Sequence, residues 1–265
     1  MTRKTVLMVL IVLGLVAGCT THSTQNISNY EGQSTVVNRF DESRAAESRV
    51  QAAQRYLQQN SLQRAKYHLD KAAEHDDDLP SLHFTLGYYY QMARDYEQAD
   101  DSFKRALRLD SKNPEFKNAY AQFLCQRGKY DDAMEYFKEA IDTPTYTNIS
   151  QAYVNAGRCL RTQDKNKEAI DYFRRALNIN SELPTALIEM AQYEYDQERF
   201  ERAVRYIKRY RDVARHIPRT LWLALRAEHK LGNRDAVASY ALQLENLYPD
   251  SRETLEYLDS REQWQ

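Results

Sequence analysis

Glycine and proline are scarce: the chain holds seven and six of them in 265 residues. So few breakers leave little room for a turn-rich β architecture, and no segment sustains the alternation of a half-buried strand. An excess of either charge is also missing. The 37 Lys and Arg against 38 Asp and Glu give a net charge of −1, without the basic surplus of a nucleic-acid binder. Apolar runs are short. The N-terminal one, Val6 to Val16, has 11 residues, well below the roughly 20 that span a bilayer as a helix. Catalytic signatures are missing as well: there is no P-loop, GxSxG, GxGxxG or HExxH. The six histidines are scattered, with none placed as an i, i+4 metal pair, and Asp76-Asp77-Asp78 reads as a solvated helix end. These absences favour neither an enzyme nor a metal or cofactor protein, and no small-molecule substrate is expected.

What is abundant is helix-forming and aromatic. Twenty tyrosines and a 42% hydrophobic content can build a large helical core. The stretch Pro80 to Asn113 shows how. His83-x2-Leu86-Gly87-x2-Tyr90 precedes Ala99-x3-Phe103-x2-Ala106, and Pro114 opens the next unit. Leu86 and Tyr90 share a helix face four residues apart, while Gly87 and Ala99 are small where two backbones must meet. This resembles the two-helix tetratricopeptide repeat, with His in place of the usual Trp. The small residue recurs as Ala65, Ala99, Ala133, Ala169, Ala203 and Val237, at intervals of 34, 34, 36, 34 and 34. Four residues on stand Leu69, Phe103, Phe137, Phe173, Ile207 and Ala241. The expectation is an all-α, right-handed superhelical solenoid of six repeats, at about 46–79, 80–113, 114–147, 150–183, 184–217 and 218–251. A C-terminal capping helix over 252–265, led by Leu255 and Leu258, covers the last open face. The repeat domain as a whole is 45–265.

Ahead of it, residues 1–19 read as a targeting segment. Arg3 and Lys4 precede the apolar run, which ends in Val16-Ala17-Gly18-Cys19, similar to a bacterial lipobox with Cys19 as the lipidated residue; the alternative is an ordinary secretory signal with an incidental cysteine. Residues 20–44, rich in Ser, Thr, Gln and Asn, are expected to be a flexible tether. Cys125 and Cys159 lie on first helices of adjacent repeats but on different faces, so they are expected as buried thiols.

First helices of such repeats line a concave groove. Its expected partner-binding positions are Val50, Leu57, Phe84, Tyr88, Gln91 and Met92 near the N-terminus, apolar anchors of the kind that dominate interfaces. Trp222, Arg226, His229 and Lys230 make the far end more basic. Part of this set could instead pack between repeats.

A lipobox, a polar tether and six repeats in this order resemble the type IV pilus biogenesis/stability lipoproteins of the PilF/PilW family. Blocks such as Ala121-Gln122-Phe123-Leu124-Cys125-Gln126-Arg127-Gly128 belong to the same resemblance. It implies a pilotin anchored in the outer membrane with its repeats in the periplasm. Such a protein binds subunits of the secretin PilQ and promotes their localisation and multimerisation. A repeat scaffold serving outer-membrane protein insertion or peptidoglycan enzymes is the alternative. For the anchor, Cys19→Ser should leave the repeats folded but release the protein from the membrane. Acyl burial is worth ~0.8 kcal/mol per methylene, and two chains suffice for stable anchoring. Cell fractionation with the variant still in the outer membrane would refute this.

Overall fold

The computed structural model describes the backbone of residues 31–264 and the side chains of residues 41–262 and 264. The targeting segment with Cys19, and the tether as far as residue 30, lie outside the described residues. Thirteen α-helices follow one another, with no strand among the described residues. They pair as α1 (Glu31–Gln58) with α2 (Leu62–His75), α3 (Pro80–Ala93) with α4 (Tyr96–Leu109), and α5 (Pro114–Gln126) with α6 (Tyr130–Ile141). Next come α7 (Ile149–Arg161) with α8 (Asn166–Ile179), α9 (Pro184–Asp196) with α10 (Phe200–Val213), and α11 (Pro218–Lys230) with α12 (Arg234–Leu247). A short α13 (Arg252–Asp259) and a 3-10 turn (Arg261–Trp264) close the chain. Asp41–Gln265 forms one compact unit. The pairs are the six expected repeats, called A and B helices below.

Local chemistry explains the borders. Pro80, Pro114, Pro184 and Pro218 each occupy the first helical turn, where the missing N–H costs nothing. Asn113 accepts from the backbone N–H groups of Glu115 and Phe116 at the start of α5. Every A-to-B turn is made by one residue of positive φ: Asn60, Arg94, Gly128, Asp164, Glu198 and Gly232. Only two are glycine; the repeat holds Arg94 (φ 64°) and Glu198 (φ 57°) in a conformation their side chains disfavour.

Between paired helices the packing follows a single rule: a small A residue faces a large B residue. A Cβ on Gly87 would meet the Phe103 ring at 2.6 Å, and one on Gly157 the Phe173 ring at 2.9 Å. At the same joint, Ala121 shares a core with Phe137, Ala53 with Leu69, and Ala191 with Ile207. In the last repeat the sizes reverse, and Leu225 shares its core with Ala241. The two-residue insertion before repeat four is absorbed by a loop that buries Tyr146 against Ala140 and Ala152.

Three expectations are corrected here. Helix α1 begins at Glu31, so the latter part of the 20–44 tether is helical; that stretch holds no proline and a single glycine, Gly32. The terminal helix turns Thr254 and Tyr257 inward, while Leu255 and Leu258 stay exposed. The reason is the end of α12: the Thr254 hydroxyl donates to the Tyr248 carbonyl at 2.7 Å and lies 3.3 Å from that of Leu244. Such an end otherwise leaves its last carbonyls unpaired. Finally, Cys125 and Cys159 form a disulfide, with Cα atoms 5.8 Å apart. Neighbouring A helices must present opposite faces to touch, so the different helical phases that argued against pairing are what brings the two sulfurs together.

Gly87→Ala should therefore cost about 1–3 kcal/mol by overpacking, because the Phe103 ring is hemmed in by Tyr88, Tyr120 and Phe123. Phe103→Leu in the same chain should recover part of that loss. Urea unfolding would check both, and an unchanged midpoint for Gly87→Ala would refute the joint.

Candidate functional site

The A helices form one face of the stack, the concave side of such a solenoid. On α3 the expected anchors come together. The rings of Phe84 and Tyr88 stand edge to face at 5.1 Å, and Phe84 stacks on Phe116 of the next repeat at 4.5 Å. Phe84 is therefore half-buried support between repeats. Tyr88 keeps 36% of its surface open and Met92 39%, and these two present the apolar ridge. The Tyr88 phenol is pushed up to about 12 by burial, with the Glu115 carboxylate adding to it. The hydroxyl thus stays protonated across any physiological pH, and the open part of the residue is offered as apolar ring surface.

Gln91 is half-buried and already committed: its Nε2 donates to Gln126 Oε1 at 2.7 Å. Val50 and Leu57 do not belong to this surface. Both are buried, Val50 completely: Ala46, Val50 and Ala53 are the inward stripe of α1 that packs with Leu69, Ala72 and Leu82, and Leu57 continues that spacing by four. Towards the C-terminus the groove is occupied by the chain itself. The Trp264 ring packs edge to face on Trp222 at 5.2 Å and on His229 at 4.9 Å. The Arg226 guanidinium lies over Tyr195 at 4.9 Å and Trp222 at 5.4 Å.

A polar ladder, not expected from the sequence, joins each A helix to the next. Gln54 Nε2 donates to Thr85 Oγ1 at 3.1 Å, Gln91 to Gln126 as above, and Asn155 Nδ2 to Asn118 Oδ1 at 3.2 Å. Beyond that the rungs become ionic. Buried Glu189 of α9 is held by Arg161 of α7 through Oε2 and by Arg219 of α11 through Oε1, the latter at 2.8 Å. Burial lowers both guanidiniums, and for Arg161 the charge of Arg219 adds to the effect. The Cys125–Cys159 disulfide reinforces the middle rung. Beside it lies a cavity of about 160 Å3, walled by Gln122, Gln126, Asn155, Arg158 and Thr162. The available signal was Asn118, Asn155 and Glu189, polar residues on otherwise apolar stripes.

Glu189→Ala leaves two half-buried guanidiniums facing each other without their shared carboxylate. Breaking a fully buried pair costs about 3–5 kcal/mol. With both arginines more than a third exposed, solvent screens the remainder, and about 1–2 kcal/mol is expected. Urea unfolding would read it, and high salt should narrow the difference from wild type.

Comparison with known proteins fits this geometry. Two tetratricopeptide repeat family models match residues 84–146 and 116–182. The type IV pilus assembly protein PilF of Pseudomonas aeruginosa is 31% identical over 97% of this chain and 98% of its own. An uncharacterised protein of Haemophilus influenzae is 35% identical over 46% of this chain and 68% of its own. Among solved structures, that of P. aeruginosa PilF superposes with a TM-score of 0.76 at 30% identity, covering 83% of this chain and 99% of the other. PilW, described as a widely conserved type IV pilus biogenesis factor, gives 0.70 at 26% identity, with 80% and 98% covered.

Proposed function

Because the chain belongs to the type IV pilus assembly family of tetratricopeptide-repeat proteins that includes PilF and PilW, we propose that it is a pilotin. In this reading Cys19 carries the lipid that holds it in the outer membrane. The repeats then collect subunits of the secretin, PilQ, in the periplasm and promote their insertion and multimerisation. The observation that carries the reading is the whole-length match to a pilus assembly protein, joined to an A-helix face whose open apolar groups gather on α3.

The mechanism is binding without chemistry. Tyr88 and Met92 offer large side chains on a rigid helix, supported from beneath by Phe84 and Phe103. Such aromatic anchors lose little conformational freedom on association and can dominate an interface. A secretin segment laid along α3 would cover the ridge formed by the Tyr88 ring and Met92. Its release from the anchored repeats then delivers it to the growing ring at the membrane surface.

Met92→Glu and Tyr88→Ala are the variants of choice. Met92 lies outside the hydrophobic core clusters among the described residues, so its substitution should leave the fold intact, as circular dichroism would check. Truncating an anchor typically costs ~2 kcal/mol or more, above tenfold in affinity, so heat-resistant secretin multimers in cells should fall sharply. Arg226→Ala with Lys230→Ala should matter less. Normal multimers in a folded Met92→Glu, Tyr88→Ala double variant would reject this ridge as the site.

A further inference from the structure

The B helices of repeats four to six carry a surface that the groove does not use. Between Arg199 and Arg215, seven cationic residues stand against two acidic ones, in a chain of net charge −1. Arg202, Arg205, Arg209 and Val213 follow one another at steps of three and four, which puts them along one face of α10. The three arginines and Tyr206 wall an open cavity of about 340 Å3. Its only acidic wall, Glu194, is engaged by Arg199 at 2.8 Å and more loosely by Arg202 at 3.9 Å. Arg209 donates Nη2 to the Ser181 carbonyl at 2.9 Å, which ties the stripe to the end of α8. There Ile179 is 52% exposed, and Val213, closing the stripe, is 36% exposed. Leu247 holds the same position in the next repeat and is 60% exposed. These three are the last residues of α8, α10 and α12, so they recur along one edge of the stack.

We propose that this face is a second membrane contact, in which phosphates of anionic lipid headgroups seat among Arg202, Arg205 and Arg209. The aliphatic edge then enters the interfacial layer. Cations that end in open aliphatic side chains at one level are the combination an interface takes. Reach supports a lipid surface over an acidic protein segment. Residues 20–30 separate Cys19 from α1, a distance of at most about 40 Å when extended. Anchoring therefore keeps the domain next to a bilayer, where a weak contact is populated by effective concentration. The inference rests on the lipid anchoring proposed above. Each arginine near an anionic leaflet is worth about fivefold in affinity.

The test uses the full-length lipidated protein carrying Ile179→Cys, labelled with an environment-sensitive dye. Lipidation at Cys19 and the Cys125–Cys159 disulfide leave the new thiol as the free one. The protein is reconstituted into vesicles of phosphatidylcholine alone or mixed with phosphatidylglycerol. Emission should shift to the blue and brighten severalfold only in the mixed vesicles, and high salt should reverse it. Arg202→Glu, Arg205→Glu and Arg209→Glu together should abolish the change. Arg205→Glu alone serves should the triple variant unfold. The same dye on Glu97→Cys, exposed on α4, should not respond. A dye silent in mixed vesicles overturns the proposal. If the triple variant then also loses secretin multimers in cells, the face holds an acidic protein segment instead. The vesicles contain no secretin, so failure of the pilotin reading leaves the result unchanged. Failure of lipid anchoring shows earlier, as protein that does not float with the vesicles, and overturns this contact too.

Discussion

Everything in the stack depends on the joint where an A helix meets its own B helix. The pair is always one small and one large side chain, Gly with Phe, Ala with Phe, Leu or Ile, and finally Leu with Ala. What is conserved from repeat to repeat is thus the filled volume between two backbones rather than either residue. Protein interiors tolerate neither voids nor overlap of a methylene without cost, so constant volume means constant helix separation, and constant separation lets successive repeats dock in the same way. Ala241 looks like decay of the pattern when its own column is read alone. Paired with Leu225 in one buried cluster, it is the same joint with its sides exchanged.

This explains what was legible beforehand. The period, the repeat borders and the capping prolines are local properties, carried by residues at fixed spacing. So was the gathering of Phe84, Tyr88, Gln91 and Met92, four residues of one helix. What escaped depended on facing surfaces. Val50 and Leu57 were assigned by position in a repeat, yet both are buried, Val50 in one cluster with Leu69 and Leu82. The disulfide needs the relative rotation of two helices, which one sequence does not state. The positive φ of Glu198 is imposed by the repeat on a residue with no preference for it, so no glycine or asparagine marks that turn in the sequence.

The ladder between A helices is the second constraint, and it shapes what a partner can meet. A face exposed to solvent but crowded with helix backbones must satisfy its polar groups sideways, since an unmade bond at a half-buried site is expensive. Gln91, Gln126, Asn118 and Asn155 donate to or accept from one another across the joints, and Glu189 gathers two arginines. These groups hold the spacing of the stack and have little left to offer. The chemistry of the rungs also changes along the chain, from neutral amides to ion pairs, so salt should act mainly on repeats four to six.

Those assignments leave an uneven surface. At the C-terminal end Trp264 already covers Trp222 and His229, and the aromatic faces of Tyr195 and Trp222 are taken by Arg226. A partner arriving there would first have to displace the chain's own cap. On α3 no such cover exists among the described residues: Tyr88 and Met92 stand open while their neighbours are fixed beneath them by Phe84, Phe103 and Phe116. Rigid support without cover lowers the entropic cost of association. The asymmetry of the groove therefore comes less from which residues line it than from which of them the fold has already used.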